Sequence, residues 1–194
     1  MGRHTGTATP YLTASLGADL RALRKSRGVT LATLAGEAGR SVGWLSQVER
    51  DISVPSFDEL RSLARVLDVP ISMLFGQAQA VPGEEGRVVR AGARRRIGAR
   101  TAGLEEELLS PDLTDDFEVI HSTFKAGSKL KEFAERPTQE MGYVLAGRLN
   151  IWIGVRAFEV GVGDSFRVRG EPYRWENPWD KDAVVIWVIA PPVY

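Results

Sequence analysis

Apolar residues recur along the chain at two different periods, and the change of period divides it. From about Leu12 to Phe75 the spacing is helical, and from about Phe117 onward it is the alternation of strands. Leu16, Leu20 and Leu23 fall at i, i+4 and i+7 and form one apolar stripe. Gly28 follows where a C-cap glycine belongs. Thr30 is placed to cap a second short helix whose inner side is Leu31, Leu34 and Ala35, and Gly39 breaks it. Ser41 is placed to cap a third, with Val42, Leu45 and Val48 facing inward. Ser56 and Glu59 have capping-box spacing at the head of a fourth, which buries Leu60, Leu63, Ala64 and Leu67. Val69-Pro70 stops that helix, and Ile71, Met73, Leu74 and Phe75 predict a short fifth. The first half is therefore expected to be a five-helix, all-α bundle.

In the second half, strands are expected at residues 118–124, 140–145, 149–153, 156–160, 165–168, 173–177 and 183–189. Ala146-Gly147 and Gly154 suit hairpin turns. So many short strands predict an all-β sandwich or barrel. Residues 11–76 thus form the helical domain, 77–103 a linker and 104–194 the β domain. The linker holds Pro82-Gly83, a turn signal, and a basic run through Arg87, Arg90, Arg94, Arg95, Arg96 and Arg100. A short strand at residues 87–90 fits its pattern.

Composition sharpens this picture in two places. The chain has no cysteine, which removes disulfides, zinc fingers and thiol catalysis. Its net charge of zero hides an asymmetry: residues 1–100 carry 15 Lys and Arg against 9 Asp and Glu, and residues 101–194 carry 10 against 16. The basic half suits a polyanion, but a motif must decide. With no apolar run of membrane length and a small, polar N-terminal segment, the expected location is the cytoplasm.

The motif lies between Thr30 and Arg50. Two short helices around a Gly-containing turn make a helix-turn-helix, whose second helix enters a major groove. Opposite its apolar side stand Gly43, Trp44, Gln47 and Arg50. Gln pairs with adenine, Arg with guanine or phosphate, and Gly43 permits close approach. Ser41 stands at the helix start, where free N–H groups suit a phosphate oxygen. Two readings stay open for these side chains: Gln47 and Arg50 are base contacts or solvated surface, and Trp44 is offered to DNA or packed on the bundle. Glu49 is acidic and reads as structural, paired with Arg24 or Arg21.

Leu34-Ala35, Leu45-Ser46-Gln47-Val48-Glu49-Arg50, Pro55-Ser56 and the stretch from Leu60 to Phe75 together resemble the Cro/lambda-repressor-like, or Xre, family. The resemblance implies a lambda-repressor-like domain that binds double-stranded operator DNA as a homodimer. Carried over by position, it implies contacts from Arg40, Ser41, Trp44, Gln47 and Arg50. Leu31 departs from the family, standing where many members carry a contacting Gln. Arg40 stands where a small buried apolar residue is usual, so its side chain is expected to turn outward, toward phosphate.

The second half resembles the cupin fold, a double-stranded β-helix barrel. The match runs through Gly127, Glu140-Met141-Gly142-Tyr143-Val144-Leu145-Ala146-Gly147, Gly163-Asp164-Ser165, Pro172 and Asn177. In that family three His and one Glu hold a metal; here Ala134, Arg136 and Tyr173 stand at the His positions and only Glu140 remains. A guanidinium has no lone pair to donate. The chain has two histidines, His4 near the start and His121 in an expected strand. No metal and no cofactor is expected.

Arg136, Glu140, Tyr173, Trp175 and Asn177 remain as an expected effector pocket, suited to an amine or a zwitterion, with Trp175 as a cation–π partner. The alternative is that the aromatics are core and that Arg136 and Glu140 form an internal ion pair. Three functions compete: a regulator whose barrel senses a small molecule, a constitutive DNA-binding protein whose barrel only dimerises, and a cupin oxygenase or epoxidase carrying a helix-turn-helix. The first is expected, without enzymatic activity.

Overall fold

The computed structural model describes residues 16–69, 71–74, 84, 86–97, 101–111 and 113–193. It contains two compact units, residues 1–95 and 96–194. Pro70, Phe75, the Pro82-Gly83 turn, Arg100 and His4 lie outside the described residues.

The first unit is built from α1 (Leu16–Ser26), α2 (Leu31–Glu37), α3 (Val42–Val48) and α4 (Phe57–Val66). The expected caps are in place. Thr30 accepts from the Thr33 N–H and Ser41 from the Trp44 N–H, both at 3.1 Å. Ser56 and Glu59 form the reciprocal capping box. Leu16, Leu20, Leu23, Leu34, Leu45, Val48, Leu60 and Leu63 are buried and make the core. The fifth element is a 3-10 turn, Ile71–Leu74, rather than an α-helix. Four residues are too few for an α-helix to repay its nucleation, and Met73 and Leu74 are buried without one. Val42 also departs from expectation: it is 46% exposed, and the inward face of α3 is Leu45 and Val48 alone.

The segment expected as a linker is partly ordered. Residues 87–90 form no strand; a 3-10 turn at Ala91–Ala93 and a strand β1 (Arg95–Ile97) follow instead. Arg95 is buried in the first unit, its guanidinium 2.5 Å from the buried Asp19 carboxylate.

The second unit contains β2 (Leu104–Leu108), β3 (Glu118–Phe124), β4 (Gln139–Ala146), β5 (Arg148–Ile153), β6 (Arg156–Gly161), β7 (Ser165–Arg169), β8 (Tyr173–Glu176) and β9 (Ala183–Ala190). Together with β1 they form a six-stranded sheet, in the order β1-β2-β3-β9-β4-β7, and a three-stranded sheet, β6-β5-β8. Gly147 and Gly154 turn the hairpins with φ of +71° and +56°. A Cβ on Gly147 would stand 2.5 Å from the Asp182 carbonyl oxygen, so both backbone angle and space require glycine. The inner faces of the two sheets supply the core: Phe124, Val144, Leu149, Ile151, Trp175, Val185 and Trp187.

Candidate nucleic-acid interface and barrel interior

Helix α3 is seven residues long and is held by its neighbours rather than by its own length. Glu49, just past its end, is buried and accepts two bonds from Arg24 of α1, at 2.6 and 2.9 Å. Arg24 also donates to the Val29 carbonyl at 3.0 Å. The paired carboxylate raises the Arg24 pKa. At the other end of α1, the Gly17 N–H donates to Asp51 at 2.8 Å. A Cβ at Gly17 would lie 2.5 Å from the Val48 carbonyl oxygen, so the two helices meet there backbone to backbone. Arg24 is thus the partner of Glu49, from the pair expected.

The outward flank of α3 presents Val42, Gly43, Gln47 and Arg50, all exposed. Gln47 Oε1 accepts from the Ser53 hydroxyl at 2.9 Å, which turns its amide N–H₂ toward solvent. Arg50 Nε donates to the Ser46 carbonyl at 3.0 Å and leaves the two terminal nitrogens forward. Arg40 turns outward as expected but not toward open solvent. Its guanidinium lies 4.6 Å from the Trp44 ring centroid and 2.9 Å from Glu59. Trp44 is half-buried beneath it, and the Ser41 hydroxyl is occupied by the cap. Arg40, Ser41 and Trp44 therefore hold the N-terminal end of α3, while Gly43, Gln47 and Arg50 remain on the free flank. Val42 joins them, against the inward position that its periodicity predicts.

Inside the barrel, the side-chain layers follow from the register. Glu118 of β3 faces Ile189 of β9, which faces Glu140 of β4. Glu106 of β2 stands opposite Ser122, whose hydroxyl donates to it at 3.3 Å. Glu118 is fully buried. Its Oε1 accepts from the Val193 N–H at 3.1 Å, and its buried Oε2 has no hydrogen-bond partner among the described residues. Burial pushes its pKa up to about 7, against the pull of the Val193 bond and of Arg136, with Glu106 and Glu140 adding to the rise. Tyr173 responds to the same groups, and burial pushes its hydroxyl up to about 12. Glu140 is buried and accepts from the Thr138 hydroxyl at 2.7 Å, and the alternative reading, an ion pair with Arg136, is not formed. Beside it, Pro137, Thr138, Gln139, Arg169, Gly170, Ala190 and Pro191 line an open cleft of about 550 Å³.

Arg136, Glu140 and Tyr173 thus come together, with Glu118 and Glu106 as acids that the sequence reading missed. Trp175 and Asn177 do not join them. Trp175 packs edge-on against Phe124 at 4.6 Å, toward the opposite end of β3 from Glu118. Asn177 spends both amide protons on the Phe124 and Lys181 carbonyls at 2.9 Å, and its Oδ1 accepts from the Trp179 N–H. It pins a loop, so both leave the effector set. The residues at the family's metal positions do not fit a divalent transition metal. Alanine and guanidinium donate nothing, the phenol is held protonated, and only the Glu140 carboxylate is a usable donor.

Comparison with known proteins matches residues 15–74 to a helix-turn-helix domain and residues 120–189 to a cupin domain. The transcriptional regulator ClgR of Mycobacterium tuberculosis is 31% identical over 97 residues, which is 50% of this chain and 87% of that one. Among solved structures, an HTH_3 family transcriptional regulator from Vibrio cholerae shares 22% identity, covers 92% of this chain and 96% of its own, and has a TM-score of 0.45. Hydroxypropylphosphonic acid epoxidase from S. wedmorenis shares 16% identity over 93% and 99%, with a TM-score of 0.47.

Proposed function

We infer that this chain, which belongs to the Xre-like helix-turn-helix transcriptional regulators and carries a C-terminal cupin domain, binds operator DNA as a homodimer through α3 under the control of a small molecule in its barrel. The observation that carries the DNA reading is the outward flank of α3. Gln47 and Arg50 stand there with their donors forward and their backs tethered. Gln47 offers its N–H₂ to an acceptor on a base edge, and Arg50 offers a pair of donors to guanine or phosphate. Gly43 brings the backbone close, and the Val42 methyls suit a thymine methyl.

DNA selected from the host genome by the purified protein supplies the probe. Gln47→Ala and Arg50→Ala are each expected to weaken binding by about 1–3 kcal/mol with the fold intact. Wild-type affinity in both variants would refute this orientation of α3.

For the barrel, the reading rests on Glu118 Oε2, a buried oxygen with no partner among the described residues. A buried polar atom left unpaired costs about 1–3 kcal/mol, which a ligand's N–H would recover. Three carboxyls around one guanidinium favour a cationic effector, an amine or an amino-acid-like metabolite, with Arg136 available to its carboxylate. We read the barrel as a sensor rather than an oxygenase because its donor set does not suit iron. Coupling of about 1–3 kcal/mol between effector and operator is enough to switch occupancy. Titrating amines and amino acids into the DNA-binding assay tests this, and indifference to all of them would favour a barrel that only dimerises.

A further inference from the structure

The two donors on the outward flank of α3 are tethered in different ways. Arg50 is tied to the main-chain carbonyl of Ser46, which any residue at that position would supply. Gln47 is tied to a side chain, the hydroxyl of Ser53, beyond the end of the helix. The turn that brings Ser53 there is built without that hydroxyl. The Gln47 carbonyl accepts from the N–H groups of Arg50 at 3.3 Å, Ile52 at 2.9 Å and Ser53 at 3.3 Å. Asp51 turns the chain back with a φ of +56°, a left-handed angle in which Asp is enriched. Its carboxylate is held by the Gly17 N–H at 2.8 Å, and Glu49 is held by Arg24 at 2.6 Å. Main-chain bonds and contacts with α1 therefore carry Ser53 back beside Gln47. Among the described residues, the hydroxyl then bonds to Gln47 alone.

We propose that Ser53 is a positioning residue for base recognition, holding the Gln47 amide in the place where a base edge meets it. The proposal rests on the reading of α3 as the helix that reads DNA. A glutamine side chain is among the more mobile, and an untethered one loses that freedom when it docks. A tether made in the free protein removes most of that cost from binding. The bond leaves the amide able to read. It uses one of the two lone pairs of Oε1, so the second lone pair and both N–H groups remain for the paired contact that glutamine makes with adenine. The bond is exposed and joins neutral groups, so it adds little to folding stability. Its effect belongs to recognition.

The test uses the full chain, an operator duplex selected from the host genome, and a series of duplexes with one base pair replaced at each position in turn. The position that Gln47 reads is the one to which Gln47→Ala becomes indifferent. Ser53→Ala is expected to weaken binding to the operator about three- to tenfold, the cost of ordering one long side chain. On duplexes replaced at the Gln47 position the loss should shrink to less than about twofold, because the tether then has no contact to prepare. Adding Ser53→Ala to Gln47→Ala should cost nothing further. Ser53→Thr keeps a hydroxyl and should restore affinity, and the melting temperature should hardly move in any of these variants.

Wild-type affinity in Ser53→Ala overturns the proposal and leaves Gln47 and Arg50 as readers. A loss that is equal on every duplex, or that persists in the Gln47→Ala background, also overturns it, since Ser53 would then touch DNA itself. If Gln47→Ala makes no position indifferent, the reading of Gln47 as a base contact falls and takes the role of Ser53 with it.

Discussion

The helical unit and the barrel treat their buried charges in opposite ways. In the helical unit each buried acid among the described residues meets a guanidinium: Glu49 accepts both its bonds from Arg24, and Asp19 is 2.5 Å from Arg95. In the barrel, Glu118 is buried with one oxygen bonded to a backbone N–H and the other, among the described residues, to nothing. A matched pair fixes a geometry, and in the helical unit that geometry aims α3. An unmatched acid leaves hydrogen-bonding capacity for something that arrives later. The donors of α3 accordingly point out of the first unit, and the unpaired oxygen of Glu118 lies inside the second.

The largest expected effect breaks the matched side. Arg24→Ala strands the Glu49 carboxylate in a buried site and is expected to cost the helical unit about 3–5 kcal/mol. Calorimetry of the full chain would show one transition moving down by many degrees while the barrel's transition stays. Equal shifts in both transitions would contradict the division into two units. Operator affinity should fall with it, since Arg24 holds the C-terminal end of α3 without touching DNA.

The next effect belongs to the unmatched side and has the opposite sign. Glu118 has a folded pKa near 7, raised from the ordinary 4.5 by burial. The folded barrel therefore holds that proton more tightly than the unfolded chain does. The stabilisation is complete below about pH 4.5 and is lost as pH rises to 7, a total of about 3 kcal/mol. Arg136 moderates the effect, and Glu106 and Glu140 add to it. Glu118→Gln keeps the bond from Val193 and has no proton to lose. Its barrel should be more stable than wild type above pH 7 and should lack the decline between pH 5 and 7. A parallel pH profile in the two proteins would sink the assignment. A cationic effector favours the ionised form, so its affinity should rise over the same interval in wild type alone.

How much of each unit could be read from the sequence follows the same divide. Thr30, Ser41, Ser56 with Glu59, and Gly28 announce helix ends because a cap acts within three or four residues. The helix-turn-helix was legible for that reason, as was the Arg24–Glu49 pair. Strand positions were also close, since alternation is local. The barrel's interior was not. Glu118 lies in its strand as one polar residue among apolar ones, and its significance comes from Ile189, Glu140 and Arg136, all distant in sequence. Strand β2 was missed because Glu105-Glu106-Glu107 breaks the hydrophobic signal, although Leu104, Glu106 and Leu108 share one face. Asn177 and Trp175 were misassigned because period 2 gives a shared face and says nothing of depth along the barrel. Val42 was placed inside because an apolar residue in register reads as core, whether or not the turn before it rotates the helix start outward.

That last residue gives the smallest effect and the finest test of the comparison. If the outward flank of α3 reads bases, Val42 contributes methyl contact rather than hydrogen bonds, and its natural partner on DNA is a thymine methyl in the major groove. Val42→Ala is expected to cost about 1 kcal/mol on the preferred operator, near the low end for a single base contact. Folding stability should barely move, because the side chain is 46% exposed. The discriminating measurement is a thymine-to-uracil series across the operator, which removes one C5-methyl at a time. In wild type a single position in each half-site should lose affinity, and in Val42→Ala that position should become indifferent. A uniform loss at every sequence would instead assign Val42 to packing against the backbone. The helical unit would then read bases through Gln47 and Arg50 alone.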